Sequence, residues 1–245
     1  MNFKTGKIKK TIIFINSILL IIIILFTPLA CHVFNLSYYS TLYEDNGVFS
    51  ILNKSDVLDI TEEIFKFFTG RTTTLQNIQV RYSDESGDGS ISISNNNTAA
   101  SFSPAEISHL YDVRKLLVKI FILYGGSIIL FVTMTFLLID KNIKNFIRNL
   151  GAIFIISSSF MLLFIIILYF LGQNFPSLFD NFHQKFFPQG NYIFSPGSLI
   201  ITLFPSGFFY DFFIRLIVCS SLLSIVLLVL GIIGINLPKI KKNSN

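Results

Sequence analysis

Apolar positions along this chain gather into four long unbroken runs, at about 11–32, 118–139, 150–172 and 212–236. Each is close to the ~20 residues a helix needs to cross a hydrocarbon core. In lipid the backbone must satisfy its own N–H and C=O groups, so each run predicts a transmembrane helix. Continuous Ile, Leu and Phe do not supply the short alternating strands of a membrane barrel. Between the runs the pattern changes. Residues 55–70 place Val57, Ile60, Ile64, Phe67 and Phe68 at helical spacing. Ser55 stands at the predicted N-cap, Asp56 and Asp59 in the first turn, and Gly70 at the stop. Residues 77–82 and 90–94 alternate in character across a turn rich in Ser, Gly and Asp, which predicts a short β-hairpin, and 95–100 reads as a loop. Ser103-Pro104-Ala105-Glu106 then opens a helix: Ser as cap, Pro in the first turn, and Glu closing a capping box. This helix is expected to run through Arg114 into the second span.

The expected architecture is an α-helical membrane protein with four transmembrane helices and a small α+β extracytoplasmic domain, 33–117, between the first two. Short cytoplasmic stretches, 1–10, 140–149 and 237–245, complete the pattern. Residues 173–211 are too apolar for an ordinary exposed loop. They predict a helix or re-entrant stretch at the outer interface, beneath that domain.

Composition supports this class. Hydrophobic residues make up 52% of the chain and charged residues 13%, about half the ~25% charged share of soluble domains. With 28 Phe and no Trp, Phe and Tyr must fill the interfacial belts. Lys4, Lys7, Lys9 and Lys10 precede the first span, Lys141, Lys144 and Arg148 fill the loop after the second, and Lys239, Lys241 and Lys242 follow the fourth. Asp140 is the lone acid among them. By the positive-inside rule these regions are cytoplasmic, so both termini lie inside and 33–117 and 173–211 lie outside, in a multi-pass plasma-membrane protein. The first run exceeds the ~7–15 residues of a signal-peptide core, so it is expected to persist as an anchor. Cys31 and Cys219 sit in apolar runs and behave as small hydrophobes.

Candidate chemistry is sparse. Of three histidines, His32 adjoins the end of the first span and suits the interface, while His109 and His183 fall in the two outer segments. Glu106, His109 and Asp112 recur every three residues and share one helix face, where carboxylates can orient and tune an imidazole. The same residue types also make plain solvated helix surface, and spacing alone leaves both readings open. Arg215, in the outer end of the fourth span, either snorkels outward or holds an anionic or carbonyl group of a ligand. No metal-ligand spacing, nucleotide loop or hydrolase elbow is present in the sequence, so no metal, cofactor or nucleic acid is expected. Nearly uncharged, unrepeated spans argue against a pump or channel.

Glu106-Ile107-Ser108-His109-Leu110-x-Asp112-Val113-Arg114, followed by Phe182-His183-x-x-Phe186-Phe187 and Leu199-Ile200-x-x-Leu203-Phe204-Pro205, resembles the bacterial lipoprotein intramolecular transacylase family. The shared topology covers almost the whole chain. The resemblance implies transfer of the sn-2 acyl chain of a diacylglyceryl-cysteine lipoprotein to the α-amino group of the same cysteine, giving an N-acyl lyso-lipoprotein. Its partners are then diacylated lipoproteins and membrane lipid. On that reading His109 and His183 carry proton transfer, Glu106 and Asp112 orient them, and Arg114 and Tyr192 position the substrate. Two alternatives stand beside it: a non-catalytic membrane adaptor whose outer domain binds a partner, and a phospholipid hydrolase releasing free fatty acid.

Overall fold

The structure, a computed structural model, describes residues 3–75, 79–83, 99–140 and 142–240. Its elements are α1 (Phe3–His32), α2 (Leu36–Asp45), α3 (Val48–Ile51), α4 (Lys54–Phe68), β1 (Gln79–Arg81), β2 (Ala99–Ser101), α5 (Pro104–Phe136), α6 (Ile143–Gly172), α7 (Phe175–Phe186), α8 (Leu199–Leu203) and α9 (Ser206–Ile240). The described residues divide into two compact units, one drawn from 1–31, 120–173 and 214–245, the other from 32–119 and 174–213.

Among the described residues, four helices are long and apolar enough to cross a membrane: Gly6–His32, Pro104–Phe136, Ile143–Gly172 and Ser206–Leu237. Both α5 and α9 begin well ahead of their apolar runs, because polar residues can extend a helix wherever they need not meet lipid. Within the first unit, Leu20, Ile24, Ile153, Met161 and Ile165 form a buried seam. Hydrophobic burial gives little net attraction between helices in lipid, so close packing and hydrogen bonds must supply it. Asn16 Nδ2 donates to Thr135 Oγ1 at 3.2 Å, tying α1 to α5. Ser157 Oγ donates to the Ser17 carbonyl at 3.0 Å, tying α6 to α1. Gly151 and Gly231 let α6 and α9 touch backbone to backbone: a Cβ on Gly151 would lie 2.8 Å from the Gly231 carbonyl oxygen. Lys9 pairs with Asp140 at 2.9 Å. Cys31 and Cys219 are both free thiols.

The second unit has its own core, in which Tyr39, Tyr43, Leu52, Val57, Ile60, Ile64, Phe67, Val80 and Leu110 are buried together with Leu199, Ile200, Leu203 and Phe208. Residues after the third span therefore pack into the same core as residues after the first. Thr61 Oγ1 donates to the Val57 carbonyl, so the buried Tyr43 hydroxyl donates to Thr61 at 2.9 Å.

Local details differ from the sequence reading. The cap of α4 is Asn53, not Ser55: its side-chain oxygen accepts from Ser55 N–H at 3.1 Å and Asp56 N–H at 3.3 Å. A carboxamide two residues upstream reaches those free N–H groups, and the Ser55 hydroxyl turns to donate to the same oxygen at 2.7 Å. At the other end Gly70, at φ +80°, allows a Schellman stop: Arg71 N–H donates to the Lys66 carbonyl and Gly70 N–H to that of Phe67. β1 pairs antiparallel with β2, Gln79 opposite Ser101 and Arg81 opposite Ala99. Ala99 and Ala100, expected in a loop, thus belong to a strand, because the ladder gives their backbone groups partners that a loop would leave to water. The predicted strand at 90–94 lies outside the described residues. Helices α2 and α3 were not foreseen; Asn35 starts α2 by accepting from Tyr38 N–H at 3.0 Å.

Two predictions follow from these contacts. Gly151→Leu must push α6 from α9 and should cost about 1–3 kcal/mol, seen as a lower thermal midpoint in detergent. Gly126→Ala, whose Cβ meets nothing within 4 Å, should leave that midpoint unchanged or raise it. Separately, Asp56 accepts from Arg81 Nε at 2.8 Å, Nη2 at 2.7 Å and N–H at 3.0 Å, and the Arg81 guanidinium holds its carboxyl down at about 2. A carboxyl lowered on folding stabilises fully above its unfolded pKa near ~3.9 and loses that contribution as pH falls toward the folded value. Asp56→Asn should therefore destabilise by up to ~1 kcal/mol at neutral pH, Arg81 being exposed, with the difference from wild type shrinking as pH falls through about 2 and gone only below it in acid unfolding.

Candidate active site

Helix α5 begins with the capping box its sequence predicts. Ser103 N–H donates to Glu106 Oε2 at 2.6 Å, and Glu106 N–H donates to Ser103 Oγ at 3.3 Å. The second carboxylate oxygen has another role: Glu106 Oε1 accepts from Ile200 N–H at 2.8 Å, at the start of α8. Glu106 is buried, and both oxygens are committed to backbone N–H groups. It braces two helix starts.

One turn further along α5, His109 is buried, and α7 brings His183 to it. The two imidazoles stack with ring centroids 6.0 Å apart and planes 26° from parallel. Phe187 meets His109 edge-on at 4.9 Å and Phe194 at 5.6 Å. Around His183 stand Phe179 at 4.1 Å, Phe182 at 5.5 Å, Phe187 at 5.6 Å and Tyr192 at 5.2 Å. His183 Nδ1 lies 2.8 Å from the Phe179 carbonyl oxygen. A carbonyl can only accept, so Nδ1 carries the hydrogen, and the neutral ring keeps its lone pair on Nε2. Burial holds the His183 imidazole below its ordinary range, against the opposing pull of the Phe179 carbonyl and Asp180.

Asp112 sits two turns into α5. Its Oδ1 takes Lys115 Nζ at 3.0 Å, while Oδ2 takes Gln189 Nε2 at 2.7 Å and Asn191 Nδ2 at 2.8 Å. Gly190, at φ +77°, lets the chain reverse after α7, with its N–H donating to the Phe187 carbonyl at 3.1 Å. Gln189 and Asn191, two residues apart on either side of that glycine, then both reach Asp112. Neither was picked out from the sequence. Two carboxamides inside a Phe-rich stretch were the available signal, since polar side chains there need partners.

The other expected site residues divide. Arg114 lies over the Phe67 ring at 5.0 Å, packed against the end of α4. Arg215 is exposed and belongs to the first unit. Tyr192 joins the His183 cluster. Among the described residues no three His, Cys, Asp or Glu side chains are gathered to hold a metal ion. A groove of about 700 Å³ lined by Leu75, Phe102, Ile107, Ser108, Tyr111 and Asp112, among others, shares Asp112 with the cluster but contains neither histidine.

Four membrane-crossing helices, together with a buried imidazole pair walled by aromatic rings, define a multi-pass membrane protein with a compact, water-poor polar centre. Residues 14–209 match the model of the lipoprotein intramolecular transacylase Lit family, and the chain belongs to that family. It is accordingly an acyl-transferring enzyme, which removes the adaptor alternative. Its fold is that of solved structures of Lit from Bacillus cereus. One is 18% identical with a TM-score of 0.69, over 96% of this chain and 99% of that one. A second, carrying a histidine-to-arginine mutation, is 17% identical with a TM-score of 0.71, over 99% of this chain and 97% of that one. No curated protein sequence matches the chain.

The Glu106 brace can be tested directly. Glu106→Ala leaves the buried Ile200 N–H without an acceptor, about 1–3 kcal/mol, while Ser103, an exposed residue, can turn its N–H to water. The variant's thermal midpoint in detergent should fall clearly, and Glu106→Gln, which keeps a carbonyl oxygen, should recover part of the loss.

Proposed function

We propose that the chain moves the sn-2 acyl chain of a diacylglyceryl-cysteine lipoprotein to the α-amino group of the same cysteine. The observation that supports this best is the stacked His109–His183 pair in an aromatic enclosure, within a chain of this family. An α-ammonium has a pKa near ~8, so a nearby imidazole can free its amine to attack the sn-2 ester carbonyl. The ammonium first gives up one proton, which leaves to solvent; the neutral amine then attacks, the new C–N bond forms, the ester C–O bond breaks, and the second proton lost from nitrogen goes to the departing glyceryl oxygen as its hydroxyl. Base and acid are thus one shuttle completed within the site. Like charges on rings 6.0 Å apart repel, so a second positive charge on the pair is disfavoured once one ring is an imidazolium.

Nucleophile and ester belong to one molecule, so holding them in reach supplies much of the rate. The ring-lined walls suit that task, and Tyr192, packed against His183, is the residue offered for contact with the substrate. The Lys/Arg distribution supports an orientation with both termini cytoplasmic and the histidines on the outer side, where lipoproteins carry their lipid. Diacylated lipoproteins are the substrates on this reading.

Mass spectrometry of a diacylated lipoprotein incubated with purified enzyme tests it. Wild type should give the N-acyl lyso form with no free fatty acid, and His109→Ala and His183→Ala should each fall by at least ~10²-fold. Free fatty acid as the main product would point to a hydrolase instead. Undiminished lyso product from either variant would remove that histidine from the mechanism. Because burial favours neutral His183, the acid limb of kcat/KM that belongs to the enzyme should lie below pH ~6.5, apart from the limb near ~8 set by the substrate amine. An enzyme limb above that value would contradict this role.

A further inference from the structure

Two buried polar atoms on neighbouring side chains lack hydrogen-bond partners: Nδ1 of His109 and Oδ1 of Asn191. Leaving each unpaired is costly, which a settled core would avoid. Asn191 lies against the His109 imidazole and interacts with it, but not with the alignment of an ordinary hydrogen bond. The other end of the same carboxamide is firmly held, with Asn191 Nδ2 donating to Asp112 Oδ2 at 2.8 Å. A carboxylate only accepts, so the amide nitrogen must face Asp112 and Oδ1 must be the end turned away from it. Gln189 and Lys115 hold Asp112 in turn, at 2.7 and 3.0 Å. His183 has a backbone carbonyl fixing its tautomer. His109 has no such bond, and Asn191 Oδ1 is the acceptor that stands beside it.

We propose that Asn191 is a positioning residue: its Oδ1 accepts the Nδ1–H of His109, is aimed there by Asp112, and leaves His109 Nε2 as the proton-shuttling atom. The assignment of a shuttle rests on the transacylase reading; the tautomer itself rests on the geometry alone. Loose contacts of this kind tighten when a substrate compresses the site. An amide takes up no proton, so Asn191 fixes and polarises the ring while the proton moves through Nε2 alone. The anionic charge of Asp112, passed through the amide dipole, makes Oδ1 a better acceptor and steadies the imidazolium formed mid-reaction.

Nitrogen NMR of isotope-labelled histidine, in protein held in nanodiscs, reads the tautomer without any substrate. The His109 signals are identified by their loss in His109→Gln. Wild type should show the Nδ1–H tautomer, and Asn191→Leu, of similar volume, should show a mixture. In the lipoprotein assay Asn191→Leu should lose about 10–100-fold in kcat, the scale on which outer partners of a working imidazole act, with KM held within about twofold. Asn191→Asp sets two carboxylates face to face with no donor between them, and its kcat should fall as well. Adding Asp112→Asn restores a donor with the roles exchanged, and should return kcat to within severalfold of wild type. A wild-type tautomer pattern or kcat in Asn191→Leu overturns the proposal, as does failure of the double exchange to rescue. If wild type yields no lyso product, the transacylase reading fails, while the NMR comparison still decides the tautomer.

Discussion

The carboxylate of Glu106 is the constraint on which the second unit turns. A buried carboxylate is costly unless its oxygens are met by donors, and here each oxygen takes a backbone N–H from a different helix start. Those N–H groups have no partner within their own helices, so carboxylate and helix ends satisfy one another. The arrangement fixes where α5 begins and ties it to α8, a segment some ninety residues later in sequence. His109 lies one turn along α5 and Asp112 two, so the register of the site is set by that cap.

Asp112 repeats the device one turn further on. It accepts from two carboxamides of the return after α7, as well as from Lys115. Residues 175–200 are thereby fastened to α5 on both sides of the imidazole pair. Between those polar ties the enclosure is almost wholly aromatic, with rings from α7 and from the segment before α8 packed on both histidines. Such walls exclude water, which strengthens the few polar contacts inside and favours neutral imidazoles. The membrane-crossing unit meets the same demand for paired polar groups with side chains such as Asn16 and Ser157, and brings α6 and α9 together at Gly151 and Gly231.

Much of this was legible from residues alone. The apolar runs announced the spanning helices, because lipid admits few other backbone conformations. Ser103 to Glu106 announced the start of α5, because a capping box is local and needs only four residues. The motif resemblance named the histidines before their meeting was visible. Less was legible at the end of the predicted loop, 99–100, where strand formation depends on a distant partner, and at Ser55, where Asn53 reached the same N–H groups from further back.

What the sequence determined by itself was everything set within a few residues: span lengths, the cap of α5, the stop at Gly70, and the spacing of Glu106, His109 and Asp112 along one helix face. Only tertiary structure decided what those side chains touch. Glu106, expected beside His109, is found bracing α8, and Arg114 is found stacked on Phe67. Asn191 offered only its place as a carboxamide among Phe residues, since a hydrogen bond between residues seventy-nine positions apart leaves no trace in the spacing of either. Periodicity records which face a residue occupies. The partner on that face is fixed by chain closure, and that is where the candidate site was made.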